Sequence, residues 1–231
     1  MQDGTSFDPD TDETSVRDVA GETERNGPPW ENPDETGTVR GLLETLYGSM
    51  FGPARFFSQM RRRDGYLSPL IYAVILGSFS VLVSIGWECL FVSSGGSLLD
   101  AGANQQLSGL RAVSYGLTAV LSPVMIVVLV FVSSGVFHIV LSALGGATQG
   151  FQASFRVVCY SQGTGVCNII PFFGPAIGGI WNLVLLVTGL ARSHGTSSWK
   201  AVAAVLIPVI VSSILIAAML LVVGGQGLSL Y

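Results

Sequence analysis

The chain has 231 residues, 49% of them hydrophobic and only 11% charged, with a formal net charge of −4. Soluble domains carry about a quarter charged residues, so this chain cannot cover a water-exposed surface with polar side chains. The net charge averages opposites: residues 1–35 hold eleven of the fifteen acidic residues, whereas residues 67–223 carry only Glu88, Asp100, Arg111, Arg156, Arg192 and Lys200. An ordinary soluble domain is excluded, and an all-α, polytopic transmembrane helix bundle is expected.

Residues 1–36 are rich in Asp, Glu, Thr, Pro and Gly and nearly free of aliphatic side chains. Such a segment buries too little apolar surface to offset its ordering entropy, so a disordered, acidic cytosolic tail is predicted. Its acidic start lacks an apolar core, and no cleavable signal peptide is expected. The tail ends in the stiff stretch Pro28-Pro29-Trp30-Glu31-Asn32-Pro33, where Trp30 is either an interfacial or packing contact or a docking motif for a cytosolic protein partner.

Residues 37–66 are predicted to be a basic amphipathic juxtamembrane segment. Leu42, Leu43, Leu46, Tyr47, Met50 and Phe51 share one helical face. Pro53 suits the first turn of a second short helix bearing Phe56, Phe57 and Met60. Arg55, Arg61, Arg62 and Arg63 flank the apolar face, the pattern of an interfacial helix with arginines turned to anionic headgroups. The same face is also able to pack on the membrane bundle.

A hydrocarbon core of about 30 Å takes about 20 helical residues. Five spans are predicted within residues 67–223, at 67–92, 115–144, 151–173, 174–191 and 199–223, leaving 224–231 as a short exterior tail. Residues 93–114 read as a polar loop and 145–150 as a tight turn. The third and fourth spans join only through Pro171-Phe172-Phe173-Gly174-Pro175. A re-entrant hairpin satisfies the same text, provided protein surrounds its backbone. With the N-terminus in the cytosol, ten of the eleven basic residues fall inside and only Arg111 outside. That asymmetry predicts N-in, C-out.

No catalytic constellation is present. His138 and His194 are the only histidines, without metal-ligand spacing, and the serines have no base with an acidic orienter. Neither metal nor cofactor is expected, nor a nucleic-acid partner. Cys159 and Cys167, about 12 Å apart on a helix, are too distant to pair, and with Cys89 they read as small packing residues. His138 is an intramembrane ionisable group and so a candidate functional residue, or else a hydrogen-bonded packing residue near the interface. Tyr160, Asn168, Trp181 and Asn182, interleaved with Gly174, Gly178 and Gly179 and turned by Pro171, form a polar centre in spans three and four. They read either as helix-packing glue, within the chain or between copies, or as the lining of a small-molecule path.

Leu144-Gly145-Gly146, Phe155-Arg156, Tyr160, Ile170-Pro171 and Pro175 follow a known order. So do Gly179-Ile180-Trp181, Leu185, Gly189-Leu190, His194 and Lys200-Ala201. Together they resemble the Yip family of Ypt/Rab-interacting membrane proteins, in particular its bacterial members, over about residues 38–223. The resemblance implies five spans, a cytosolic N-terminus and a short exterior C-terminus, in the cytoplasmic membrane for a bacterial chain. The eukaryotic members' Asp-Leu-Tyr-Gly-Pro motif is echoed only by Leu46-Tyr47-Gly48, with Thr45 and Ser49 at its ends, so their GTPase-related role is not carried over.

These readings lead to a non-enzymatic integral membrane protein that self-associates or organises other membrane components. The alternatives are a small transporter or channel-like protein using spans two to four, or an accessory subunit that recruits a cytosolic partner through its tail.

Overall fold

The computed structural model describes residues 27–61, 65–93 and 105–228. The disorder expected of residues 1–26, the side chains of Arg62 and Arg63, and residues 94–104 of the expected 93–114 loop lie outside the described residues. Among the described residues all regular structure is helical. A 3-10 turn, Pro29–Glu31, leads into α1 (Pro33–Thr36), α2 (Thr38–Phe51) and α3 (Pro53–Gln59). Next come α4 (Leu67–Ser93), α5 (Gln105–Ala143), α6 (Phe151–Ser161), a 3-10 segment (Gln162–Ile169), α7 (Gly174–His194) and α8 (Ser198–Leu228). Four helices are long and apolar enough to cross a membrane: Leu67–Phe91, Gly109–Ala143, Gly174–His194 and Ser198–Leu221.

Local chemistry explains most boundaries. Proline opens the first 3-10 turn, α1, α3 and α7, where its missing N–H has no helical partner to lose. Gly195 ends α7 in the left-handed conformation at φ 61°, its N–H returning to Ala191 O, and Arg192 occupies the last turn, where the helix dipole favours a cation. Pro123 and Pro208 lie inside α5 and α8; neighbouring helices and local adjustment make this tolerable in a membrane.

Three expectations are corrected. First, the tail does not stay apart from the bundle as far as residue 36, because Trp30 donates from its backbone to Thr45 Oγ1 (3.0 Å) and from its indole to Ser68 O (2.8 Å). Second, α5 begins at Gln105 rather than near 115, and α8 runs to Leu228 through most of the expected exterior tail. Third, residues 151–173 are not one helix. After Ser161 the Gly163-Thr164-Gly165 stretch tightens into the 3-10 segment, threaded between α2 and α4: a Cβ on Gly163 would lie 2.9 Å from Leu46 Cδ1 and from Tyr72 Oη, and one on Gly165 2.7 Å from Ser80 Cβ.

The juxtamembrane segment packs on the bundle. Gly41, Thr45 and Ser49 are the buried stripe of α2, while Leu42, Leu46 and Met50 rest against the core. Phe57 of α3 is 1% exposed and lies against Gly189 of α7. The core gathers at this end of the molecule, around Phe57, Met60, Tyr72, Phe155, Tyr160, Leu141 and Leu190. At the other end the tip of α4 stays packed on the segment before α7, Phe91 against Phe172 at 4.5 Å, whereas every residue from 210 to 221 of α8 is exposed.

Candidate functional site

Arg156 is the largest fully buried side chain in the core region. It lies one helical turn before Tyr160 on α6, so the two side chains share a face. Arg156 Nη2 pairs with Glu31 Oε1, and the Tyr160 hydroxyl donates to the same oxygen. Arg156 Nη1 donates to Gly65 O at 3.2 Å, joining the chain just ahead of α4 to the group. Glu31 is carried in by the Pro29–Glu31 turn, whose position Trp30 fixes through its two hydrogen bonds and an edge contact with Tyr72 at 6.5 Å. Arg61 borders the same place: a Cβ on Gly27 would stand 3.2 Å from Arg61 Nε and from Glu31 Oε2. A buried charge is tolerated only when paired and hydrogen-bonded; the guanidinium has Glu31 Oε1 and Gly65 O, while Glu31 Oε2 is buried without a hydrogen bond among the described residues.

The two histidines form a second polar group near the 145–150 turn. The Gln149 backbone N–H donates to His194 Nδ1 at 3.2 Å, so that nitrogen accepts and the ring proton sits on Nε2. His194 Nε2 then donates to Ser154 Oγ (2.9 Å), whose hydroxyl donates to His138 Nδ1 (3.0 Å). The hydrogen-bond network thus assigns both rings as neutral Nε2–H tautomers in a one-way chain. Thr148 Oγ1 donates to His194 O and closes the turn against α7.

The polar residues singled out in spans three and four find partners inside the chain. Asn168 Nδ2 donates to Ser80 Oγ (2.7 Å) and lies 3.3 Å from Ser84 Oγ, while its carbonyl accepts from the Trp87 indole at 3.1 Å. Asn182 Nδ2 donates to Ser161 O and Thr164 Oγ1, both at 3.1 Å. The two asparagines therefore hold opposite sides of the 3-10 segment, to α4 and to α7. Trp181 donates to Met50 O at 3.1 Å. Three of the chain's four tryptophans, 30, 87 and 181, thus tie their indole N–H to a backbone carbonyl of a distant segment.

Pro171 accepts the Phe173 N–H at 2.7 Å in the turn before α7. Gly174 and Gly178 are buried: a Cβ on Gly174 would collide with Cys167 O, and one on Gly178 would lie 2.9 Å from Thr164 O. Gly179 is exposed and a Cβ there would meet nothing within 4 Å, so it packs against no other helix within the chain. Arg55 is exposed on α3 and Arg61 half-buried. The cysteines are free. Among the described residues no cluster of three or more His, Cys, Asp or Glu is placed to hold a metal.

Glu31, Ser154 and the central position of Arg156 were not read from the sequence as site residues. One signal was available. A lone arginine in an apolar stretch, four residues before a tyrosine, demands a carboxylate partner, and Glu31 sits beside the one tryptophan of the acidic tail.

Four membrane-length apolar helices around a sealed ion pair define a multi-pass membrane protein. The chain belongs to the Yip1 domain family, whose model matches residues 47–220. No curated protein and no solved structure matches it.

Proposed function

We propose that this Yip1-domain protein is a non-enzymatic membrane-organising scaffold that gathers copies of itself or other membrane components. One observation carries the reading. Asn168, Asn182, Trp87 and Trp181 bond to backbone, serines and a threonine of the chain itself, while the far half of α8 is largely apolar and exposed at every residue from 210 to 221. A helix so exposed offers a surface to other intramembrane helices as well as to lipid. A conducting path would instead need polar side chains left facing a cavity, and Asn168 and Asn182 are held by neighbouring serines, a threonine and backbone.

The architecture belonging to this reading has five crossings. The eleven residues of α6 and eight of the following 3-10 segment rise about 32 Å together at 1.5 and 2.0 Å per residue, close to the hydrocarbon thickness of about 30 Å. The N-terminus faces the cytosol and the C-terminus the exterior of the cytoplasmic membrane, in accord with the placement of basic residues. A headgroup contact for Arg55, Arg61, Arg62 and Arg63 belongs to the same reading, exposed Arg55 reaching that level from α3 through its long apolar stem. A photo-crosslinking residue at Ile214, activated in native membranes and followed by mass spectrometry, tests the scaffold. Crosslinks to the chain itself or to one reproducible membrane protein support it. Lipid adducts alone reject it.

A further inference from the structure

We propose that α2 and α3 form a re-entrant hairpin that dips into one leaflet and presents Leu43, Tyr47 and Phe51 to its acyl chains. The proposal rests on the chain's being a membrane protein but not on which side its N-terminus faces.

The depth follows from what each part of the hairpin touches. His194, at the end of α7, is bonded to Thr148 and Gln149 of the tight turn and marks the membrane-surface level of the bundle. At 1.5 Å per residue, Trp181 lies about 20 Å from that end, and its indole meets Met50 O at 3.1 Å. Leu46 Cδ1 stands 2.9 Å from the Cβ position of Gly163, about 19 Å beyond Phe151 along α6 and the start of the 3-10 segment. Phe57, on the returning α3, faces Gly189, only about 8 Å from His194. The chain therefore descends along α2, reverses at Gly52 and climbs along α3. Half of a hydrocarbon core is about 15 Å, so the reversal lies near the midplane.

The exterior of α2 changes character along the same path. Arg40 and Glu44 pair at 2.6 Å in its first two turns, with exposed side chains. Beyond them the outward residues are Tyr47 (66% exposed) and Phe51 (75%), their rings tilted against each other with centroids 4.9 Å apart. A helix lying flat at the interface keeps a polar outer face from end to end. This one carries an apolar outer stripe, Val39, Leu43, Tyr47 and Phe51, and its charged side chains, Arg40 and Glu44, are confined to the first two turns.

The reversal meets in part the condition that hydrocarbon sets for backbone, the Ala54 and Arg55 N–H groups in the first turn of α3 having no side-chain cap. Gly52 N donates to Gly48 O (3.0 Å), Phe56 N to Gly52 O (2.9 Å), and the Trp181 indole takes Met50 O. Pro53 brings no N–H at all. Polar backbone groups at membrane depth need such partners within the protein.

The test places a single cysteine at Arg40, Leu43, Tyr47 or Phe51 of the full chain, its native cysteines replaced by alanine. Each variant carries a nitroxide and is reconstituted in phosphatidylcholine–phosphatidylglycerol vesicles. Collision with oxygen relative to a water-soluble nickel chelate should rise from 40 to 51, by about tenfold overall as the label leaves headgroups for hydrocarbon. All four side chains are exposed, so the substitutions leave the core intact. Nickel access at 47 and 51 equal to that at 40 would overturn the proposal. So would shielding of 51 from both reagents, the mark of a second copy seated on the face. The orientation given above could fail in a separate labelling experiment while this depth profile stood.

Discussion

Glu31 and Arg156 lie 125 residues apart in the chain and close an ion pair inside the bundle, with side-chain exposures of 4% and 0%. Removing either partner leaves the other charge in a place that cannot hydrate it, at a cost of about 3–5 kcal/mol. Glu31→Ala and Arg156→Ala should each lower the melting temperature in detergent sharply. Glu31→Leu combined with Arg156→Met should lose much less than the sum of the two single changes. Strict additivity in this double-mutant cycle would show that the two residues are not coupled.

Gly178 and Gly179 are neighbours with opposite surroundings. Gly178→Ala puts a methyl 2.9 Å from the Thr164 carbonyl, so α7 or the 3-10 segment has to shift, whereas Gly179 has open space. Gly178→Leu should cost about 1–3 kcal/mol, comparable to other overpacking changes, and Gly179→Leu should be nearly neutral. Thermal unfolding of the two leucine variants side by side decides the matter. Equal stability would mean that the glycine face is not an interface.

The histidine chain gives a spectroscopic expectation. Nitrogen-15 labelled protein in membranes near neutral pH should show His138 and His194 as neutral rings with the proton on Nε2. Ser154→Ala strands a donor on one ring and an acceptor on the other, costing about 1–3 kcal/mol. A neutral ring protonated on Nδ1 at either position would contradict the bonding order.

Much of this was legible because its causes are local. The ends of α7 are written in Gly174-Pro175 and in Gly195, and the apolar stretches of α4, α5 and α8 are evident. Helix limits are another matter, since α5 starts at Gln105 among polar residues that hydropathy assigns to a loop. Hydropathy marks where the membrane is, not where the hydrogen-bond ladder stops. The 3-10 segment was hidden because Gly163 and Gly165 are tightened by Leu46, Tyr72 and Ser80, residues of other elements. Glu31 was hidden for the same reason. Its own neighbourhood has the composition of a disordered tail, and what orders it comes from Thr45, Ser68, Arg156 and Tyr160.

The topology can be read by cysteine accessibility, and the structure changes the choice of site. Ser193 is buried at 1% and would be silent from either side, whereas Ser197 is exposed in the α7–α8 turn. In a chain freed of native cysteines, Ser97→Cys and Ser229→Cys should react with an impermeant reagent added outside intact cells. Ser197→Cys should react only after lysis. Outside reaction at 197 would refute the five-crossing, N-in arrangement.

The ion pair also imposes an order on biogenesis. Glu31 leaves the ribosome long before Arg156 is made, so its partner does not yet exist and the segment from Pro28 to Glu31 must wait outside the lipid. Arg156 then enters the bilayer without its Glu31 partner, and it stays so until that much earlier-made segment folds back to meet it. Maturation is therefore sealed from the N-terminus, in the reverse of the order of synthesis. A bulky fusion abutting Pro28 should hold newly made chains in a protease-sensitive form for longer than the same fusion after Tyr231, a difference that pulse-chase proteolysis would time.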